Sequence, residues 1–208
     1  MLIDIKCRKC RAIGEKLFLK GERCFSPKCA MVRRPFKPGM HKKTKSRAGA
    51  SEYGRQLTEK KKMKLIYRID ENQLRRYFKE SFTGKGSTTD ILFKKLEMRL
   101  DNVVFRLGFA ASRSLSRQLV NHGHFMVNDR KLRIPSKGLK IGDVVTIRPQ
   151  SLEMPVFKGI KEIIKKQEIP TFLSLNRDKM EGKVISEPSM AELKPPFNIS
   201  LVVEFYSK

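Results

Sequence analysis

Four cysteines stand in the pattern C-x2-C-x13-C-x4-C near the start of the chain: Cys7, Cys10, Cys24 and Cys29. Two close pairs across a short span can meet at one tetrahedral ion. The thiolate is the ligating form, and Lys6, Arg8, Lys9 and Lys28 nearby favour it. Four soft donors suit Zn²⁺ first and an iron–sulfur cluster as the alternative. With every position filled by protein, such a centre leaves no opening for catalysis. Its work is to fold a segment too small to bury a core. Four unrelated buried cysteines would be the plainer account, and the compact pairing argues against it.

A second set of residues is cationic. Arg113 and Arg117 lie one turn apart, and His122, His124, Asn128, Arg130 and Lys131 follow within a few positions. Two helices and a hairpin must position them. Leu96, Leu100, Val103, Val104 and Leu107 recur at i, i+3/i+4, one apolar helix face, which Gly108 can end. Ser112 suits an N-cap, Leu115, Leu119 and Val120 make the buried stripe of a second helix, and Gly123 stops it. Phe125 and Val127 alternate with polar residues, and Asn128-Asp129 suits a tight turn, so a hairpin follows. Arg113 falls in the first turn of the second helix, where unpaired N–H groups already favour an anion. Basic residues on a helix are usually only a solvated face. Here they gather at a helix start and an adjoining hairpin, the arrangement a phosphate backbone needs.

Charge gives the same direction. The 208 residues carry 46 Lys+Arg and 21 Asp+Glu, a net +25. Residues 1–50 hold 15 basic and 3 acidic side chains, residues 51–150 hold 22 and 10, and residues 151–208 hold 9 and 8. The excess therefore lies in the first 150 positions and points to a polyanion, which excludes a merely soluble basic protein as the economical reading. The start of the chain lacks the apolar core of a secretory signal, and no apolar run is long enough to span a membrane. A cytosolic, reducing address follows, where cysteines serve metals more than disulfides.

Between these sets, residues 31–50 read as an irregular basic arm, broken by Pro35, Pro38 and Gly39, poorly ordered alone and ordered against RNA. A helix follows, with Tyr53, Leu57, Met63, Ile66 and Tyr67 on its inner side and Lys60, Lys61, Lys62 and Lys64 wrapping its outside. Asp70 and Gln73 stand at capping-box spacing before another helix bearing Leu74, Tyr77 and Phe78. Ile160, Ile163 and Ile164 fit a short helix. The stretches 172–175 and 184–185 fit strands, and Asn198–Tyr206, rich in β-branched residues, reads as a β-rich end.

The run Arg99-Leu100-Asp101-Asn102-Val103-Val104, with His122-Gly123-His124 and Val127-Asn128, resembles the small RNA-binding module named after small-subunit ribosomal protein four. The resemblance runs from the first cysteine to Glu204-Phe205-Tyr206-Ser207-Lys208, so the chain resembles the bacterial-type ribosomal family throughout. Members keep or lack the four cysteines; this chain keeps them. The family pattern has a glycine after the tyrosine of the helical turn, where this chain has Arg68.

The resemblance implies an α+β fold. Residues 1–45 would form a four-cysteine metal module and basic arm. Residues 46–97, completed by a tail at 183–208, would form a helical domain. Residues 98–182 would form the RNA-binding module with its β-rich extension. It implies a non-enzymatic constituent of the small ribosomal subunit, in the cytoplasm, that binds an rRNA junction early in assembly and lies near the mRNA entry. Small-subunit ribosomal protein five would be a neighbour and mRNA a possible contact, with no membrane and no homo-oligomer. Candidate RNA contacts are Lys42, Lys43, Lys45, Arg47, Arg55, Lys60, Lys61, Lys62, Lys64, Arg75, Arg76, Ser112, Arg113, Arg117, Gln118, His122, His124, Asn128 and Lys131. A repressor of its own message would use the same surface. A pseudouridine synthase is the enzymatic alternative, because some carry a similar module and an Arg-Leu-Asp motif like Arg99-Leu100-Asp101. That triplet, however, reads as mid-helix with Asp101 a surface acid, and no chain remains for a catalytic domain.

Overall fold

The computed structural model describes residues 6–39, 51–157, 164 and 168–207. The chain divides into two compact units, residues 1–82 with 195–208, and residues 83–194. Helix and antiparallel sheet together make the fold α+β.

In the first unit, α1 (Lys6–Ile13) and the short α2 (Ala30–Arg33) flank the cysteines. Then come α3 (Glu52–Tyr67) and α4 (Glu71–Phe82). Ser51 caps α3 by accepting from the Gly54 N–H at 3.2 Å, and Asp70 accepts from the Gln73 N–H at 2.8 Å, the second as its spacing from Gln73 predicts. Met63, Ile66, Tyr67, Leu74, Tyr77 and Phe78 are buried, as the apolar spacing requires. Arg68 closes α3 in the left-handed conformation, φ 53° and ψ 46°. The backbone thus keeps the geometry a glycine would take, with an arginine in it.

The carboxyl end is helical, a correction to the expected β-rich end. Residues Ile199–Ser207 form α9, packed on α3. Two observations explain it. Asn198 accepts through Oδ1 from the Ser200 N–H (3.0 Å) and the Leu201 N–H (3.4 Å), which starts the helix. Ile199 and Val202 are buried one turn apart, so packing overrides the β-preference of branched side chains.

The second unit begins with α5 (Thr88–Glu97) and α6 (Leu100–Arg106). The expected single helix through residue 107 is in fact broken at Met98-Arg99, although Leu96, Leu100, Val103, Val104 and Leu107 are all fully buried. The break follows from a loop distant in sequence: the Leu100 N–H donates to Lys137 O at 2.9 Å and the Asp101 N–H to Pro135 O at 3.1 Å. Those acceptors satisfy the first N–H groups of a new helix start. Next, α7 (Arg113–His122) is capped by Ser112, whose Oγ accepts from the Leu115 N–H at 3.3 Å, and ended by Gly123 at φ 78°.

The sheet contains β1 (Phe125–Val127), β2 (Arg130–Leu132), β3 (Val144–Ile147), β4 (Leu173–Asn176) and β5 (Glu181–Val184), all antiparallel, in the order β2-β1-β3-β5-β4. Asn128 (φ 49°) and Asp129 (φ 62°) both take the left-handed turn between β1 and β2. Phe125, Val127, Val145, Ile147, Leu173 and Val184 face the helices and form the core with Leu100, Val103, Leu107 and Leu119. Ile164 joins this core, whereas Ile160 and Ile163 lie outside the described residues. The short α8 (Met190–Leu193) closes the unit. Among the described residues, no helix is long and apolar enough to cross a membrane.

Candidate nucleic-acid interface and cysteine cluster

The two helices and hairpin of the second unit rest on a buried polar frame that sequence reading missed. Glu97, with no exposure, receives Arg106 on both oxygens at 2.9 and 3.1 Å. Asn102 donates to the Glu97 carboxylate at 2.7 Å and accepts from Arg113 Nε at 2.7 Å. The Arg113 guanidinium also lies 4.5 Å from the centre of the Phe105 ring, within cation–π range. Arg113 is therefore positioned from within and is not a loose solvated cation. Asp101 is a buried acid at 4% exposure, a correction to its expected surface place. It pairs with Arg99 on two oxygens, and Arg117 Nη1 lies 3.7 Å from Oδ2. Ser116 Oγ donates to the Asp101 carbonyl.

Beyond this frame the cations gather where α7 ends. A Cβ on Gly123 would lie 2.6 Å from Lys131 Cε and 3.1 Å from Arg133 Nε, so the helix end directly abuts both side chains. Arg133 and Arg148 hold the Lys131 ammonium below its ordinary range, with a smaller contribution from burial. Burial, then His122, Arg148 and Lys131, push the His124 imidazole down as well. Its Nδ1 lies 3.0 Å from Ser151 Oγ, and the His122 ring stands edge-on to it at 5.9 Å. Among the described residues Lys131, Arg133 and Arg148 have no ion-pair partner. An anion placed between them relieves their mutual repulsion.

Several expected contacts have other work. Asn128 accepts from the Val144 N–H at 2.9 Å and donates to Asp143 at 2.8 Å, holding the hairpin to β3. Gln118 and His122 are exposed on α7 and Ser112 is its cap. In the first unit Lys60 and Lys62 are buried, a correction to the expected outward face. Lys60 binds Glu71 at 3.0 Å and lies 4.0 Å from the Phe205 ring centre. Lys62 binds Glu15 at 2.7 Å and Glu59 at 2.8 Å. Lys64 binds Glu71 at 2.7 Å. These lysines tie the helical unit together through Glu71, Glu15 and Glu59. Arg55, Lys61, Arg75 and Arg76 are exposed, and Arg76 lies 3.3 Å from Glu80. Lys42, Lys43, Lys45 and Arg47 lie outside the described residues. Arg133 and Arg148 were absent from the expected set. Lys131 and Arg133 are two apart, a period-two signal that could have found the former; Arg148 needed the pairing of its N–H with His124 O at 2.9 Å.

The four cysteines are free thiols that line one cavity of about 20 Å³. Burial pushes the Cys10 thiol up, the Leu17 backbone N–H opposes it, and Cys24, Cys7 and Cys29 raise it further. The Lys20 N–H donates to Cys24 Sγ at 3.4 Å. The donor set is soft and convergent. Among the described residues, however, no three or more His, Cys, Asp or Glu side chains are arranged to hold a metal ion, so the metal-bound module expected from spacing is not reached.

A helix pair with an adjoining hairpin, and cations converging where the second helix meets that hairpin, defines an RNA-binding module. Residues 2–97 match the family model described as the ribosomal protein S4/S9 N-terminal domain, and residues 98–145 match the S4 domain. The small ribosomal subunit protein uS4 of Natranaerobius thermophilus is 46% identical over 97% of this chain and 96% of its own length. That of Syntrophomonas wolfei is 47% identical over 99% and 98%, and uS4A of Clostridium novyi is 48% identical over the same shares. The chain belongs to the small ribosomal subunit protein uS4 family. It is a structural ribosomal family, and the Arg99-Leu100-Asp101 triplet is part of the module's buried frame, not of a synthase site.

Proposed function

We propose that the chain is a structural, non-catalytic constituent of the small ribosomal subunit in the cytoplasm, binding small-subunit rRNA through its second unit. The cluster of Lys131, Arg133 and Arg148 at the end of α7 carries this reading, because cations set against each other without an acid are stable against phosphate. Arg113 and Arg117 extend the surface. An RNA duplex exposes phosphates, 2′-hydroxyls and a shallow minor groove, so shape dominates recognition there. In this reading the protein shapes an rRNA junction early in assembly, near the mRNA entry and ribosomal protein five, and the basic arm with Lys42, Lys43, Lys45 and Arg47 reaches rRNA or mRNA.

We propose that the cysteine cluster takes a zinc ion, with an iron–sulfur cluster as the alternative. The four thiols already share one small cavity, and a cation among them would offset the burial and mutual repulsion that raise Cys10. Cys7, Cys10, Cys24 and Cys29 would be its ligands, and its contribution is folding. Metal analysis of the purified protein should find about one zinc per chain, or a coloured cluster after anaerobic purification.

The test of the main reading is binding to a small-subunit rRNA fragment across salt. Contact with about 8 phosphates gives a log–log slope near −6 to −7. A slope shallower than about −2, or no preference for rRNA over an unrelated RNA of equal length, would overturn it.

A further inference from the structure

Cys7 stands apart from the other three cysteines. Cys10, Cys24 and Cys29 are 7%, 8% and 7% exposed, whereas Cys7 is half-buried. It lines the small cavity it shares with them and also a second, open cleft of about 550 Å³. The other walls of that cleft are Arg8 and Arg11 of α1, Arg34 after α2, and Phe36, Pro38 and Gly39, with no acid among them. Arg11 is fixed: its Nε donates to Phe36 O at 3.0 Å, and its guanidinium lies 5.2 Å from the Phe36 ring centre. Arg8 and Arg34 are exposed. Cys7 and Cys10 are free thiols three apart on α1, so both side chains lie on one face. Helical geometry sets their Cα atoms about 5 Å apart, inside the roughly 4.4–6.8 Å span of a disulfide.

We propose that Cys7 is a thiol-exchange site with Cys10 as its resolving partner, and that the arginine cleft admits a small disulfide bearing carboxylates. A reagent of peptide size cannot enter a cavity of about 20 Å³ to meet Cys10, but it can meet Cys7 through the open cleft. A cleft of one charge sign raises the arrival rate of the opposite ion by about 10-fold or more. Guanidinium forks pair carboxylate oxygens two at a time, and Arg11 is in place before any reagent arrives, which lowers the ordering cost. The exchange has two steps. Cys7, its proton given to water, attacks one sulfur of the reagent; that S–S bond breaks, and the leaving thiolate takes a proton from water. Cys7 then carries a mixed disulfide. Cys10 next loses its proton to water and attacks the Cys7 sulfur, forming the Cys7–Cys10 bond and releasing the second small thiolate. Two protein thiols are oxidised and one reagent molecule is reduced to two thiols. In a reducing compartment such a bond is transient and reports the oxidant load. The bond also withdraws two of the four sulfurs, so it and a four-thiolate ion exclude each other.

The test uses the full-length protein, as purified and after treatment with a chelator. Each preparation is mixed with oxidised glutathione, an anionic tripeptide disulfide, or with neutral dihydroxyethyl disulfide, and mass spectrometry of its peptides follows each cysteine. With oxidised glutathione, Cys7 should be modified first and the Cys7–Cys10 disulfide should follow. Cys10→Ser should stop at the mixed disulfide on Cys7, and Cys7→Ser should leave Cys10 unmodified. Arg8→Ala/Arg34→Ala should slow oxidised glutathione about 10-fold. The same variant should react with the neutral reagent at the wild-type rate, which also shows that the cluster is still folded. At about 1 M salt, where the Debye length is about 3 Å, the difference between variant and wild type should vanish. Modification of Cys24 or Cys29 ahead of Cys7, or no reaction at Cys7 in either preparation, overturns the site. Equal rates for wild type and the arginine variant with oxidised glutathione, or the same change with both reagents, overturn the role of the cleft. The zinc reading is decided separately: release of zinc in step with the Cys7–Cys10 disulfide supports both, and a zinc-free preparation that still reacts first at Cys7 supports the exchange site and removes the zinc.

Discussion

Arg99 grips Asp101 with two parallel hydrogen bonds, Nε to Oδ1 at 2.9 Å and Nη2 to Oδ2 at 2.7 Å, and the two residues are 1% and 4% exposed. They stand two apart across the start of α6, so the ion pair pins the break between α5 and α6. A buried pair is costly to half-remove, since one charge is then left without its partner. Asp101→Ala should destabilise the protein by about 3–5 kcal/mol in urea unfolding. Replacing both, with Arg99→Met and Asp101→Leu, should recover much of that loss. Equal destabilisation by the single and double changes would show that the pair's charges are not what matters.

Gly182 is a place where the sheet tolerates no side chain. A Cβ there would run into both methyls of Leu107, with Cδ2 at 2.6 Å, and Leu107 is fully buried. Gly182→Ala should therefore cost about 1–3 kcal/mol, the usual result of overpacking. Adding Leu107→Ala should make the glycine replacement nearly neutral on that background, although Leu107→Ala is itself costly. Urea midpoints of the four proteins form the cycle that checks it.

Glu71 gives the first unit an acid-sensitive joint. Burial raises its carboxyl, but hydrogen bonds from Lys64, Tyr206 and Lys60 outweigh burial and bring it from the ordinary 4.5 to about 2. A lowered carboxylate stabilises the fold above its unfolded value, and that contribution is lost as pH falls from about 4.5 through about 2. Tyr206 is raised above its ordinary 10.0 by burial, then by its bond to Glu71. Its contribution is complete below about 10 and declines as pH rises beyond it. Glu71→Gln should flatten the acid limb of a stability–pH curve, and Tyr206→Phe the alkaline limb. Unchanged limbs in both variants would remove Glu71 and Tyr206 from the pH dependence.

Arg68 closes α3 in a conformation that costs a non-glycine residue about 1 kcal/mol. Arg68→Gly should stabilise the protein by about 0.5–1 kcal/mol, the relief being partly offset by the greater freedom of glycine in the unfolded chain. Thermal melting measures it. A lower melting temperature would mean that the side chain's own contacts outweigh the backbone strain.

Local signals carried the fold as far as local partners decided it. The caps at Asp70 and Ser112, the stop at Gly123, and the turn at Asn128-Asp129 are all nearest-neighbour chemistry, and each was readable from residue type. The break at Met98-Arg99 was not, because its hydrogen-bond partners are Pro135 and Lys137, more than thirty positions on. The last helix was hidden by Val202 and Val203, whose strand preference is weaker than burial against α3. The interface failed in the same way. Lys60 and Lys62 looked like outward cations because Glu71 and Glu15, which neutralise them, lie 11 and 47 residues away. Arg133 carried a signal, two positions from Lys131, whereas Arg148 became visible only when its N–H pairing with His124 O brought it to the cluster.

The same distinction separates two variants that look alike in sequence. Arg113 and Arg117 lie off the Leu115/Leu119 stripe, which by itself would let both be removed without harm to the fold. Their partners say otherwise: Arg113 is bound to Asn102, and Arg117 lies beside buried Asp101. Arg113→Ala/Arg117→Ala should weaken rRNA binding and also lower stability, by about 1–3 kcal/mol for the buried Asn102 acceptor left without its donor and for the weakened Asp101 pair. Lys131→Ala/Arg133→Ala removes two exposed cations with no acidic partner among the described residues. It should weaken binding to a similar degree and leave stability unchanged or slightly raised, since like charges are being taken apart. Paired measurements of rRNA affinity and urea midpoint decide the matter. If the Lys131/Arg133 variant binds as wild type does, the cluster at the end of α7 is a solvated surface, and the second unit's grip on rRNA must be sought in Arg113 and Arg117.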